Sequence, residues 1–310
     1  MKYIKSIKIL CVGCLSALLC TSCDLDLTPI DYYGSGNFWN TEAQVESYMT
    51  GIHVDLRNNQ WNMQYLMGEA RGGTSKVGTS SLNTSINYDQ IKVQRFDSNN
   101  TGFSSWAGFY GNIFDCNLLI QEVEKNEALR SDNINYMLGQ AYGIRAYYYF
   151  HLYRTFGGVP LIDRVKVLDG AVTAEELYTA RSTPKQTMDF IKADLAKSLE
   201  FFGSNSTIKG DKGYWSKAAT QMLAGEVYLW SAKVPLADQT PAASDLSAAE
   251  GFFKALESDT RFKLLDSFAE VFNTATKKGN QETIFAIRRV EGESTGNAGE
   301  FVYADPNGNF

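Results

Sequence analysis

Side chains able to do acid–base, nucleophilic or metal chemistry are sparse in this 310-residue chain. It holds two histidines, His53 and His151, and neither has a second His, Cys or carboxylate at metal-ligand spacing. No Gly-x-Ser-x-Gly elbow presents a serine nucleophile. Gly73-x4-Gly78-Thr79-Ser80 has the glycines of a phosphate loop but lacks the Lys that must follow the second Gly. Glu175 and Glu176 are adjacent acids at a helix start. They point apart, whereas glycoside hydrolysis needs two acids facing one sugar, and they suit the helix dipole instead. The sequence therefore predicts no enzyme, no cofactor and no metal site. Binding chemistry is concentrated in residues 58–103, where Asn58, Asn59, Gln60, Trp61, Asn62, Tyr65, Glu69, Arg71, Asn87 and Tyr88 mix flat aromatic rings with forked hydrogen-bonding groups. Aromatic faces meet the apolar face of a sugar ring, and amides, acids and guanidinium groups meet its hydroxyls. Trp61, Tyr65, Glu69, Arg71, Asn87 and Tyr88 are the candidate contacts to an oligosaccharide. A peptide would use the same groups, with Glu69 and Arg71 reading termini or charged side chains. The other role open to Trp61 and Tyr65 is to pack the loop onto the helices.

A second reactive group is the Cys23 thiol. Lys2, Lys5 and Lys8 are followed by an apolar run, Ile9 to Leu19, and by Cys20-Thr21-Ser22-Cys23. The run is too short to span a bilayer and reads as a secretory signal, residues 1–22. The cysteine at the cleavage point resembles a bacterial lipobox, although Leu19 stands one position earlier than that pattern prefers. Acylation of Cys23 would anchor the chain to a membrane, each buried methylene contributing about 0.8 kcal/mol. Cys11, Cys14 and Cys20 fall inside the signal, so Cys11-x2-Cys14 is not a zinc or redox motif. Only Cys116 remains, as a small buried hydrophobe, and no intrachain disulfide is expected. The formal charge of −6 becomes −9 once residues 1–22 and their three Lys are removed. That acidity argues against nucleic acid and against electrostatic docking on anionic lipid.

The elements that must position these residues are helices. Asp24 to Asn40 reads as an extended leader (residues 23–40 with Cys23). From Thr41, a candidate N-cap, apolar residues recur at Val45, Tyr48, Met49, Ile52 and Leu56. Residues 58–103 lose periodicity, and a long irregular segment inside a domain is uncommon unless functional. Helical spacing returns at Ser104, with Trp106, Tyr110, Ile113, Phe114, Asn117, Ile120 and Val123 on one face. Further helices are predicted at 131–156, at 184–202 behind Thr183-Pro184, at 214–233 and at 246–256. Residues 282–290 suit a short strand or extended segment. Leu138-Gly139-x2-Tyr142 matches the core of a tetratricopeptide helix and Gly225-x2-Tyr228 repeats part of it. The predicted fold class is mainly all-α: tetratricopeptide-like helical pairs in an α-superhelix with long irregular ligand-binding loops. The aromatics from Tyr147 to Phe156 nearly encircle their helix, which suits burial between neighbours. Gly157 reads as a left-handed cap ahead of Pro160. Arg145 and Arg154 flank this belt as structural residues needing a carboxylate, with Asp194 a candidate.

Arg145-Ala146-Tyr147-Tyr148-Tyr149-Phe150-His151-Leu152-Tyr153-Arg154-Thr155-Phe156-Gly157-Gly158-Val159-Pro160-Leu161 resembles the signature of the SusD/RagB family. Phe38-Trp39-x-Thr41, Tyr110-x2-Ile113-x3-Asn117-x2-Ile120, Arg181-x-Thr183 with Ile191-x2-Asp194-Leu195, Lys217-Ala218-Ala219 running to Leu229, and Asn280-x-Glu282-x-Ile284-Phe285-Ala286-Ile287 agree in family order. The resemblance covers most of residues 23–290 and gives 41–310 as a SusD-like helical domain. Family members usually continue well past the last of these segments, so the chain resembles the N-terminal part of such a protein. The resemblance implies a cell-surface outer-membrane lipoprotein that captures nutrient oligomers, glycans first and peptides as the alternative. It also implies delivery to a partner TonB-dependent (SusC-like) transporter. A structural scaffold of an outer-membrane complex is the competing reading from another class.

Overall fold

The computed structural model describes residues 38–59, 61–73, 91, 93–99, 101–103, 105–273, 275–289 and 292. The signal, Cys23, the leader to residue 37, and Asn87 and Tyr88 lie outside them. The chain divides into two compact units, 1–41 and 42–310. In the first, Phe38 and Trp39 form a bend with their rings edge to face, 4.8 Å apart.

In the second, apolar spacing and caps set the helices. α1 (Glu42–Asn58) buries Val45, Met49, Ile52 and Leu56. α2 (Ala107–Glu124) buries Phe109, Ile113, Cys116, Ile120 and Val123. Phe114, expected on that face, is exposed, because one residue past Ile113 is a turn of about 100° about the axis. α3 (Asp132–Phe156) is capped by Ser131, whose Oγ accepts from the Ile134 amide at 3.1 Å. α4 is the single turn Ala174–Leu177, where Thr173 and Glu176 form a reciprocal capping box. α5 (Pro184–Phe202) has the same device in Thr183 and Gln186, with Pro184 at its first position. α6 (Lys217–Lys233) starts three residues after the expected Tyr214, because Ser216 takes the Ala219 amide and fixes the boundary. α7 (Ala243–Glu257) and the short α8 (Phe268–Val271) follow. Among the described residues there is no strand, only two isolated bridges, Pro160 with Arg181 and Leu236 with Gln239. Residue 284 is a bend and residues 285–289 carry no regular secondary structure, so the expected strand does not form. Gly157 ends α3 with φ +74 and ψ −117, so the cap has positive φ without the left-handed helical ψ.

α3 packs chiefly on α5, and α6 on α7. The two pairs repeat one contact. A Cβ on Gly139 would lie 2.9 Å from the Phe202 ring, and Tyr142 stacks on Phe201 at 5.6 Å. In the second pair a Cβ on Gly225 would collide with Phe253, and Tyr228 meets Phe252 at 5.6 Å. Each Gly-x2-Tyr on the first helix thus receives a Phe-Phe doublet from the second. The missing side chain lets the axes approach, and the Tyr fills the groove beside it. Three residues beyond each Tyr, and seven before each doublet, the pair is also bolted by polar groups. Arg145 meets Asp194 in the first, and Ser231 donates to Asp245 at 2.7 Å in the second. Lys192 of α5 reaches across to Asp245, joining the pairs to each other.

The first bolt is buried. Arg145 Nη2 and Nε donate to the two Asp194 oxygens at 2.6 and 2.8 Å, and Nη1 donates to Asn117 Oδ1 of α2 at 2.6 Å and to the Asp163 carbonyl at 3.1 Å. Burial pushes the Asp194 carboxyl up from its usual range while Arg145 opposes it, so the carboxylate depends on the guanidinium. Arg154, in contrast, is half-exposed, pairs with Glu226 at 2.9 Å and lies over the Phe150 ring at 4.3 Å. Asp194→Ala should cost about 3–5 kcal/mol, because it strands a buried cation. Adding Arg145→Met should recover part of that loss; urea unfolding of the two variants measures both.

Candidate ligand-binding site

The expected contact segment leaves α1 through a π-helical turn, Trp61–Leu66, and a single 3-10 turn, Glu69–Arg71. The Trp61 side chain, like Asn87 and Tyr88, lies outside the described residues. Tyr65 is half-buried and packs with Phe103 on a small cluster of Leu66, Ala70 and Ile91. Glu69 is exposed, and Arg71 is half-buried with its carbonyl accepting from Gln94 Nε2 at 2.8 Å. The structure therefore brings Tyr65, Glu69 and Arg71 into one short stretch. Gln64 ties that stretch to α3 by donating to the Tyr147 hydroxyl. Tyr147 also meets His151 and Trp215, at 4.6 and 5.6 Å between rings, and burial pushes its hydroxyl up to about 12.

A cleft of about 140 Å³ opens against α1. Thr50, His53, Val54, Leu56 and Arg57 of α1 form one wall. Gly210, Gly213 and Tyr214 form the second, and Phe285, Ile287 and Arg288 the third. The second wall is a left-handed turn: Gly210, Asp211 and Lys212 have φ of +57, +50 and +68. For the two non-glycine residues this costs roughly 1–2 kcal/mol each, and specific bonds offset it. Lys212 Nζ donates to the carbonyls of Asn280 and Thr283, and the Ala286 amide donates to the Lys212 carbonyl at 3.0 Å. Those bonds set the 285–289 segment alongside the turn. Gly210 is required for another reason, since a Cβ there would sit 2.6 Å from the Tyr214 ring.

Tyr214 in turn lies 4.8 Å from the His53 ring. His53 Nδ1–H donates to the Met49 carbonyl at 2.9 Å, and Nε2 accepts from the Trp215 amide at 3.0 Å. Both nitrogens are thereby used in the neutral form, and burial holds the imidazole down at about 4. His53 is an interface histidine that fastens the turn to α1. His151 is held lower still, at about 3, by burial and then by Arg154. Among the described residues no cluster of three His, Cys, Asp or Glu could hold a metal, and no helix is long and apolar enough to cross a membrane. Sequence reading missed Arg57, Tyr214, Phe285 and Arg288 as neighbours. Gly210-x2-Gly213 marks a turn, but nothing local shows that residues 53, 214 and 285 converge.

Residues 25–229 match the SusD-like family model described as starch-binding and associating with the outer membrane. The chain belongs to the SusD-like family. A SusD superfamily protein from Bacteroides fragilis is 43% identical, with a TM-score of 0.75 over 84% of this chain and 52% of its own. NanU of B. fragilis is 33% identical, with a TM-score of 0.71 over 86% of this chain and 51% of its own. SusD-like protein P38 of Formosa agariphila is 23% identical over 74% of this chain and 43% of its own length. The chain spans about half the length of these relatives. Its tetratricopeptide-like helical architecture is the family's.

Both histidines are depressed by folding, so the unfolded chain binds more protons below its histidine pKa near 6.5. Stability is then full above pH 6.5 and falls as pH drops from 6.5 toward 4, and further toward 3. His53→Gln should flatten the upper part of that slope; urea midpoints at pH 7.5, 6 and 4.5 test it.

Proposed function

We propose that this protein captures glycan oligomers at the cell surface, held on the outer membrane by an acylated Cys23. It passes them, unmodified, to a partner TonB-dependent (SusC-like) transporter. The observation that carries this reading is the match of residues 25–229 to a starch-binding, outer-membrane-associating family. Supporting it are a helical scaffold that carries Tyr65, Glu69 and Arg71 in one short stretch after α1 and, separately, an aromatic-walled cleft against α1. In this reading Trp61, Tyr65 and Tyr88 offer faces to sugar rings, and Glu69, Arg71 and Asn87 bond hydroxyls. Residues 1–22 are the removed signal and 23–40 the spacer between lipid and helices.

Calorimetry of the purified chain against maltohexaose and other neutral hexasaccharides tests capture. Trp61→Ala and Arg71→Ala should each weaken retention of the bound oligomer about tenfold, or about 1.4 kcal/mol, with transporter association intact. Unchanged retention in both would favour the scaffold reading, and tight binding of peptides alone would reassign the cargo. Cys23→Ser should move the protein from the membrane to the soluble fraction. Retention in the membrane without fatty-acid labelling would remove the anchor from the account.

A further inference from the structure

We propose that the cleft between α1, the left-handed turn and the 285–288 segment is a subsite for an acidic sugar residue. The ligand class is an oligosaccharide whose ring carries a carboxylate or sulfate. The saccharide part rests on the capture reading above; the charge preference rests on the cleft alone.

The chain is acidic overall, with a formal charge of −6, yet among the described residues no carboxylate lines this cleft, Asp211 lying in the turn but not in the lining. Its basic lining is Arg57, Arg288 and His53, and His53 is neutral with both nitrogens engaged. Arg288 is exposed, and among the described residues its guanidinium makes no ion pair or hydrogen bond. Its stem is nonetheless seated, since a Cβ on Gly213 would lie 3.3 Å from Arg288 Cβ. The Ala286 amide bonded to the Lys212 carbonyl fixes the backbone two residues away. The nearby Lys212 ammonium is spent on the Asn280 and Thr283 carbonyls. Arg288 is therefore a cation at the rim able to receive an anion.

A guanidinium fork matches the planar oxygens of a carboxylate, or two oxygens of a sulfate, with paired N–H donors. The rest of the lining suits a ring: Tyr214 and Phe285 supply aromatic surface, and Val54, Leu56 and Ile287 supply apolar contact. The volume equals roughly five waters at about 30 Å³ each, room for one six-membered ring with its chain neighbours outside. A strained turn built around Gly210, Asp211 and Lys212 keeps Tyr214 on the wall of the cleft. The charge sits at the rim, so its attraction is screened by salt.

The test is calorimetry of the full chain with tetragalacturonic acid, its neutral methyl ester, a sulfated tetrasaccharide, maltohexaose and tetraglutamate. The expected result is binding of the free acid or the sulfated sugar at least tenfold tighter than the ester, eroded between 50 and 500 mM salt. Arg288→Ala should lower affinity for the acid to that for the ester, and Arg288→Glu should lower it further, with wild-type urea midpoints for both. Equal affinity for acid and ester overturns the proposal. If maltohexaose still binds in that case, the capture reading stands without it. Silence to every saccharide overturns both. Arg288-dependent binding of tetraglutamate as tight as that of the sugar acid overturns the saccharide assignment.

Discussion

The scaffold depends on one buried ion pair, Arg145 with Asp194. A guanidinium taken out of water is unfavourable unless its donors are satisfied, and here they reach α5, α2 and the loop after α3 at once. That requirement favours an arrangement in which all three elements present their acceptors to one guanidinium. Apolar burial supplies the larger share of the stabilisation: Tyr148, Tyr149, Phe150 and Tyr153 are each almost wholly removed from water. Apolar contact alone is non-directional, and the charged fork gives the belt a register.

The repeated Gly-x2-Tyr against Phe-Phe contact extends this logic from one pair to the next. Each pair closes by the same steric device, and Lys192 bridges the first pair to the acid of the second. Repeat architectures derive stability from such neighbour-to-neighbour interfaces. The aromatic line continues from Tyr147 through Trp215 to Phe285, at 5.6 and 5.2 Å between rings. The packed belt of α3 is thereby connected to the third wall of the cleft. Rigid helices hold one wall, and a turn with three consecutive positive φ angles holds another. Side chains placed on such a frame are ordered in advance, which would lower the entropic cost of any association there.

Much of the fold was legible in the residues. Thr183-Pro184 starts α5 as the cap rules require, and the signature of α3 gave both its burial and its stop. Asp194 was legible as one candidate acid for the two arginines of the belt, and the structure gives it to Arg145. The departures are local. Ser216 outcompeted Tyr214 as the start of α6, since a side-chain cap satisfies an amide that an aromatic cannot. Phe114 turned to solvent because it lies about 100° around the axis from Ile113 and about 200° from Cys116, which are buried. Arg154, read as a second buried cation, found Glu226 at the surface instead.

Helix positions, family and the concentration of binding-type side chains after α1 were settled by the order of residues, because caps, periodicity and the signature act over a few positions. The convergence of His53, Tyr214 and Phe285 was decided only in three dimensions. Those residues are separated by about 160 and 70 positions. They meet through a histidine accepting a distant amide and a lysine accepted by two distant carbonyls. Hydrogen bonds of that kind leave no periodic trace in a chain, since any exposed His or Lys could make them and only folding selects the partner.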